Sequence, residues 1–98
     1  MLELDKKLNP ISEALRLLRI YSDINQGEMA DYIGFKQNIL SQMEKNKREI
    51  TIKTLEKYAE FFKIQVRDIM FFAEQIKNNK DIKKDIFKSI VQMIKEGI

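Results

Sequence analysis

Residues 26–48 read QGEMADYIGFKQNILSQMEKNKR, and the fold turns on this stretch. Asn25-Gln26-Gly27-Glu28 has the spacing of a capping box, with Asn in the cap position, so a helix begins here. Met29, Ala30 and Ile33 form its apolar face. Ala30 is small enough to let a crossing helix come close. Gly34 ends the helix, at a position where left-handed backbone is needed and a missing Cβ removes the penalty. A second short helix follows over about Lys36 to Lys45. At about 100° per residue, Leu40 and Met43 lie about 60° apart and point inward. Gln37, Asn38, Ser41 and Gln42 fill an arc of about 140° on the other side. Two such helices meet at a steep angle across their turn.

That outer face sets the functional reading. A helix face turned simply to water favours Glu and Lys pairs. Three amides and a serine, with no charge among them, make a different surface. Cations flank it: Lys36 before, then Lys45, Lys47 and Arg48 after. From Lys36 to Lys53 there are five basic residues against two acidic ones, Glu44 and Glu49. A charge run by itself usually marks a solvated face. Combined with the amides it fits nucleic acid, because amides pair bidentately with base edges while Lys and Arg hold phosphates. The residues imply a helix-turn-helix that reads DNA.

Working outward, Asn9-Pro10 is a helix start, Asn as cap and Pro at the first helical position. Ile11, Leu15, Leu18 and Tyr21 recur at helical spacing, and this first helix ends near Ser22-Asp23. Asn46 is a left-handed stop after the recognition helix, and Lys47-Arg48 form an exposed basic corner. Thr51 caps a fourth helix that carries Leu55, Tyr58, Ala59 and Phe62 inward. A fifth begins near Val66 with Ile69, Met70, Ala73 and Ile76 inward. Asp81 caps a sixth, over about 82–96, with Ile82, Ile86, Ile90 and Met93 on one side and Phe87 and Ile94 broadening it. Residues 1–9 are a leader carrying Leu2, Leu4 and Leu8 among charges. The chain divides into that leader, a DNA-binding domain over 10–70 and a helical extension over 71–98.

Composition excludes much else. The 98 residues suit one all-α domain with a small core. Without cysteine there are no disulfides and no thiolate chemistry. Without histidine the commonest metal ligand and general base are gone. No enzyme, metal or cofactor is implied. No apolar run reaches the roughly 20 residues of a membrane span, and the N-terminus lacks the apolar core of a signal peptide. A cytoplasmic protein with no membrane role is expected.

At this point the chain resembles the phage repressor and Cro type of helix-turn-helix, the XRE family. The residues that carry the resemblance are Leu15, Leu18-Arg19, Gln26, Met29-Ala30, Ile33-Gly34, Leu40-Ser41, Met43-Glu44, Lys47-Arg48, Thr54-Leu55 and Ala59. It covers about residues 11–70. It implies an all-α, five-helix lambda-repressor-like DNA-binding domain with an additional C-terminal helix. It implies dimers on a two-fold symmetric operator. It places Gln26 at the start of the second helix beside a phosphate. Gln37, Asn38 and Gln42 fall where related repressors read bases, with Ser41 as a secondary contact. Lys47 and Arg48 fall on the loop that approaches the backbone. It also brings Arg19 and Glu44 together as a shielded ion pair, beside apolar Leu18 and Met43.

Some positions depart from the family pattern. Asp23 and Asn46 stand where Gly is usual, and Ile50 where Pro is frequent. Gly27 weakens a first turn. Lys36 replaces a Ser or Thr cap, a loss of about 1 kcal/mol, and sets a cation near the DNA. The expected function is transcriptional repression by steric occupancy of an operator, on double-stranded DNA, as a homodimer through residues 71–98. The alternatives are the antitoxin of a toxin–antitoxin pair, where that extension grips a toxin, and a protein-bridging adaptor that does not read bases.

Overall fold

The computed structural model describes residues 10–79 and 83–96, and all its regular elements are α-helices. They are α1 (Pro10–Tyr21), α2 (Gln26–Ile33), α3 (Gln37–Glu44), α4 (Ile52–Phe62), α5 (Val66–Asn78) and α6 (Lys84–Lys95). The capping of Asn9 and Asp81 and the packing of Leu2, Leu4, Leu8 and Ile82 fall outside the described residues, as does the side chain of Ile94.

Local chemistry sets the element ends. At the start of α2 the Asn25 side chain accepts the Glu28 N–H at 2.8 Å, and the Glu28 carboxylate accepts the Asn25 N–H at 3.1 Å. These two bonds satisfy donors that a helix start otherwise leaves open. Thr51 caps α4 by accepting the Thr54 N–H at 3.1 Å. Gly34 ends α2 with φ 79°, and Asn46 follows α3 with φ 59°. Asp23 takes φ 60° in the first turn, as its short polar side chain permits. Lys63 also takes φ 60°, where α4 turns into α5. No feature of its sequence signals that position, and nothing in the structure explains the choice of lysine.

One core runs through all six helices. α1 packs most extensively on α5, and α3 nests against α1 and α2. Ala14, Leu15, Leu18, Met29, Ile33, Leu40, Met43, Leu55, Tyr58 and Ile69 are buried. α5 presents Ile69, Phe72, Ala73 and Ile76 inward, the i, i+3, i+4, i+7 pattern of a single helical face. Met70, expected inward, is instead 42% exposed, because it lies about 100° round the helix from Ile69. Phe72 takes its place in this core, and Ile76 is buried as expected.

The last helix is part of the same body. Phe87 is buried, its ring stacked on Phe72 at 4.7 Å and edge-on to Tyr21 at 5.2 Å. Ile90 and Val91 pack against the core, while Ile86 and Met93 stay exposed. The core is therefore not complete without α6. Nor does a structural break fall at residue 70, since α5 continues to Asn78. Phe87→Ala removes two ring contacts and leaves a cavity beside Phe72. It is expected to lower unfolding free energy by about 3–5 kcal/mol in urea titration, where a merely appended tail predicts little change.

Candidate nucleic-acid interface

α3 is eight residues long and cannot hold itself together in water. Its position comes from tertiary contacts. Leu40 and Met43 are buried, and so is Glu44 at 7% exposure. Glu44 accepts from Arg19 twice, Nε to Oε2 at 2.7 Å and Nη2 to Oε1 at 3.0 Å. Arg19 is in the last turn of α1, so the expected ion pair is present and is bidentate. The remaining side of the guanidinium donates from Nη1 to the Ile24 carbonyl at 2.8 Å. The Gln26 amide donates to Glu44 Oε1 at 3.1 Å. The end of α1, the turn after it, the start of α2 and the end of α3 thus converge on one ion pair.

Tyr58 fills the core nearby, fully buried. Burial pushes its phenol well above the ordinary tyrosine range, and the Glu44 charge adds to that, so it stays neutral. A second tie holds the end of α2. Lys57 of α4 donates from Nζ to the Ile33 carbonyl at 3.1 Å and lies over the Phe35 ring, 5.6 Å from its centroid. It is a cation at a helix C-terminus, where the helix dipole favours one.

The face opposite the core carries the side chains singled out from sequence. Gln37 and Asn38 are exposed, and Ser41 and Gln42 half-buried, along one side of α3. Lys36 sits at the N-cap with extended backbone and makes no side-chain capping bond. Lys45 is the C-cap residue, at about the angular position of Asn38 and Ser41. Lys47, Arg48 and Lys53 are exposed beyond it. Of the two acidic residues in this region, Glu44 is withdrawn into the core, which leaves Glu49 alone among five exposed cations. Gln26 is half-buried at the base of α2, its amide oriented by Glu44. The Gln37 Oε1 atom lies 3.5 Å from where a Cβ on Gly27 would stand, so the amide face of α3 reaches the first turn of α2. Arg48 donates from Nε to Gln42 Oε1 at 3.0 Å.

Sequence reasoning did not find three of these contacts: the Gln26 bond to Glu44, the Lys57 cap on α2 and the Arg48 bond to Gln42. Each joins side chains that no periodicity relates. Only the spacing of Asn46 gave a hint for the last, since a left-handed residue turns the chain back on the helix it ends.

An all-helical domain, an eight-residue helix held by an ion pair and a polar face ringed by cations define a DNA-binding regulator of the helix-turn-helix class. A family model described as helix-turn-helix matches residues 15–69, and the chain belongs to that family, in its phage-repressor (XRE) branch. The cryptic phage CTXphi transcriptional repressor RstR of Vibrio cholerae is 32% identical to it over 83 residues, which cover 85% of this chain and 69% of the relative. No solved structure gives a significant match. No helix among the described residues is long and apolar enough to cross a membrane.

The convergence on Glu44 has a measurable consequence. Glu44→Ala strands the Arg19 guanidinium, only 12% exposed, without its partner. The loss is expected to be about 3–5 kcal/mol, read from the urea midpoint of the variant. A loss below about 1 kcal/mol is the level of a surface pair and would refute the role given to this contact.

Proposed function

We propose that this protein is a transcriptional repressor that occupies an operator as a homodimer, with α3 in the major groove. The observation that carries the reading is the α3 face itself, uncharged amides ringed by cations from which the one nearby helix carboxylate has been withdrawn. Gln37, Asn38 and Gln42 read base edges, with Ser41 as a secondary contact. Lys36, Lys45, Lys47, Arg48 and the start of α2 at Gln26 meet phosphates. Phosphate contacts fix the register and base contacts choose the sequence. The RstR relative is a transcriptional repressor, which supports repression as the outcome. Occupancy alone suffices for it, with no cofactor.

Base reading and phosphate holding separate in competition assays. Gln37→Ala is expected to cost about 1–3 kcal/mol on a cognate duplex and little on a scrambled one. Lys47→Ala is expected to weaken both duplexes alike and to reduce the slope of log K against log salt by about one unit. Equal losses on both duplexes for Gln37→Ala would contradict base reading.

Two copies follow from specificity. One half-site discriminates poorly against a genome. Paired copies double the reading and set half-sites roughly 34–36 Å apart, or a multiple of that. Four large apolar side chains are exposed on the last two helices: Met70 and Phe71 on α5, Ile86 and Met93 on α6. They are proposed as the pairing surface. Because α5 and α6 also complete the core, the test is a surface substitution rather than a truncation. Ile86→Lys with Met93→Lys is expected to leave the far-ultraviolet spectrum unchanged, to give a monomer in sedimentation at micromolar concentration, and to bind a two-half-site operator far more weakly. A variant that still sediments as a dimer rules this surface out. An intact chain that is monomeric alone but pairs with the product of a neighbouring gene supports the antitoxin role instead.

A further inference from the structure

Gln42 is the last amide of the α3 face, and its side chain is not free. Arg48 Nε donates to its Oε1 at 3.0 Å. Arginine has only donors, so the amide end that faces it is the oxygen, and chemistry alone settles which way the amide points. The backbone supports the arrangement. Asn46 turns the chain back with φ 59°, and the Lys47 N–H donates to the Gln42 main-chain carbonyl at 2.8 Å. That bond brings Arg48 alongside the Gln42 side chain. Among the described residues no carboxylate pairs with Arg48, so the amide oxygen has no anionic competitor for it.

The consequence concerns which base Gln42 reads. An unrestrained glutamine offers an acceptor and a donor side by side, which matches the N6 donor and N7 acceptor of adenine. Here Arg48 takes one of the two lone pairs of the amide oxygen and sets its own guanidinium beside it. What the pair presents is then mostly donors, the amide NH2 and the two terminal nitrogens of the guanidinium, against the one lone pair left on the oxygen. The guanine edge presents N7 and O6, both acceptors, whereas adenine leaves its N6 amino group facing a second donor.

We propose that Arg48 is a positioning residue for base selection, turning Gln42 into part of a donor-rich pair that selects guanine over adenine at one position of each half-site. The proposal rests on the DNA-reading role given to α3 above. It departs from the assignment of Arg48 to phosphate contact alone, which predicts a uniform loss on every sequence when the side chain is removed.

The experiment uses the full chain and selection from a randomised duplex pool, followed by competition with duplexes that differ at single positions. The Gln42 position is identified as the one whose preference Gln42→Ala abolishes. The wild-type chain is expected to favour guanine over adenine there by roughly tenfold, the scale of one bidentate contact. In Arg48→Ala the ratio is expected to fall to parity or shift toward adenine at that position alone. Arg48→Lys, which retains one donor, is expected to recover part of the preference. Arg48→Ala is expected to have no further effect on that ratio in the Gln42→Ala background. Uniform weakening on all duplexes in Arg48→Ala, or a wild-type preference for adenine at the Gln42 position, overturns the proposal while leaving DNA reading intact. A wild-type chain that enriches no sequence overturns the DNA reading itself, and this inference with it. Arg48 is exposed, and matching far-ultraviolet spectra and urea midpoints exclude unfolding as the cause.

Discussion

The bidentate contact between Arg19 and Glu44 is the constraint on which the rest of the arrangement depends. α3 has eight residues and an N-cap without a side-chain bond, so its own hydrogen bonds do not hold it. Leu40 and Met43 bury its inner face, but apolar contact is non-directional and leaves rotation about the helix axis loosely defined. Glu44 removes that freedom. A fork-to-fork contact has one plane, and Arg19 is itself fixed by the Ile24 carbonyl. Rotating α3 by one residue would move Glu44 by about 100° and break both bonds. The angular position of the amide face is thereby tied to α1. A desolvated pair contributes less net stability than its bond lengths suggest, and apolar replacements of the same volume are often as stable. Its value here is geometric.

The same contact shapes the electrostatics. A carboxylate exposed at the end of a helix proposed to read DNA would repel phosphate at close range. Glu44 is present but buried and neutralised by Arg19, so its charge does not reach the surface. Lys36, Lys45, Lys47, Arg48 and Lys53 then act without opposition except from Glu49. This explains how a chain of net charge only +3 carries a strongly basic face. Placement, rather than total, sets the local field.

Much of this was legible in the sequence, and the limits are physical. Caps and left-handed stops are local, so Asn25, Gly34, Asn46 and Thr51 announced their helix ends from two or three neighbouring residues. Ile69, Ala73 and Ile76 follow the helical period and are buried as read. Met70 and Phe72 were exchanged, because in a segment as apolar as IMFFA several stripes compete. Only a packing partner decides between them, and here it is Phe87, fifteen residues further on and beyond a break in the pattern. The Arg19–Glu44 pair was reached through resemblance. Nothing in the local spacing of two charges 25 residues apart predicts contact. The Gln42–Arg48 bond had no signal beyond the turn at Asn46.

Positions that break local rules separate into two kinds. Lys63 adopts left-handed backbone at the end of α4, and no contact accounts for a lysine there. Lys36 breaks two rules at once. It forgoes a side-chain cap, and it sets a cation at a helix N-terminus, where the dipole disfavours one. Both effects act against α3, by about 1 kcal/mol for the cap and a few tenths more for the charge. Gly27 is similar in kind: it weakens the first turn of α2, yet a Cβ there would lie at ordinary contact distance, 3.4 Å from the Asn25 side chain and 3.5 Å from that of Gln37. Space therefore does not demand the glycine, and neither does backbone angle. Lys36 and Gly27 both lie where α2 and the amide face of α3 meet. Local departures of this kind concentrate at functional surfaces, because a side chain chosen for a ligand is released from serving the helix that carries it. The stability they forgo is restored from elsewhere in the fold, by Leu40, Met43 and the Glu44 network beneath them.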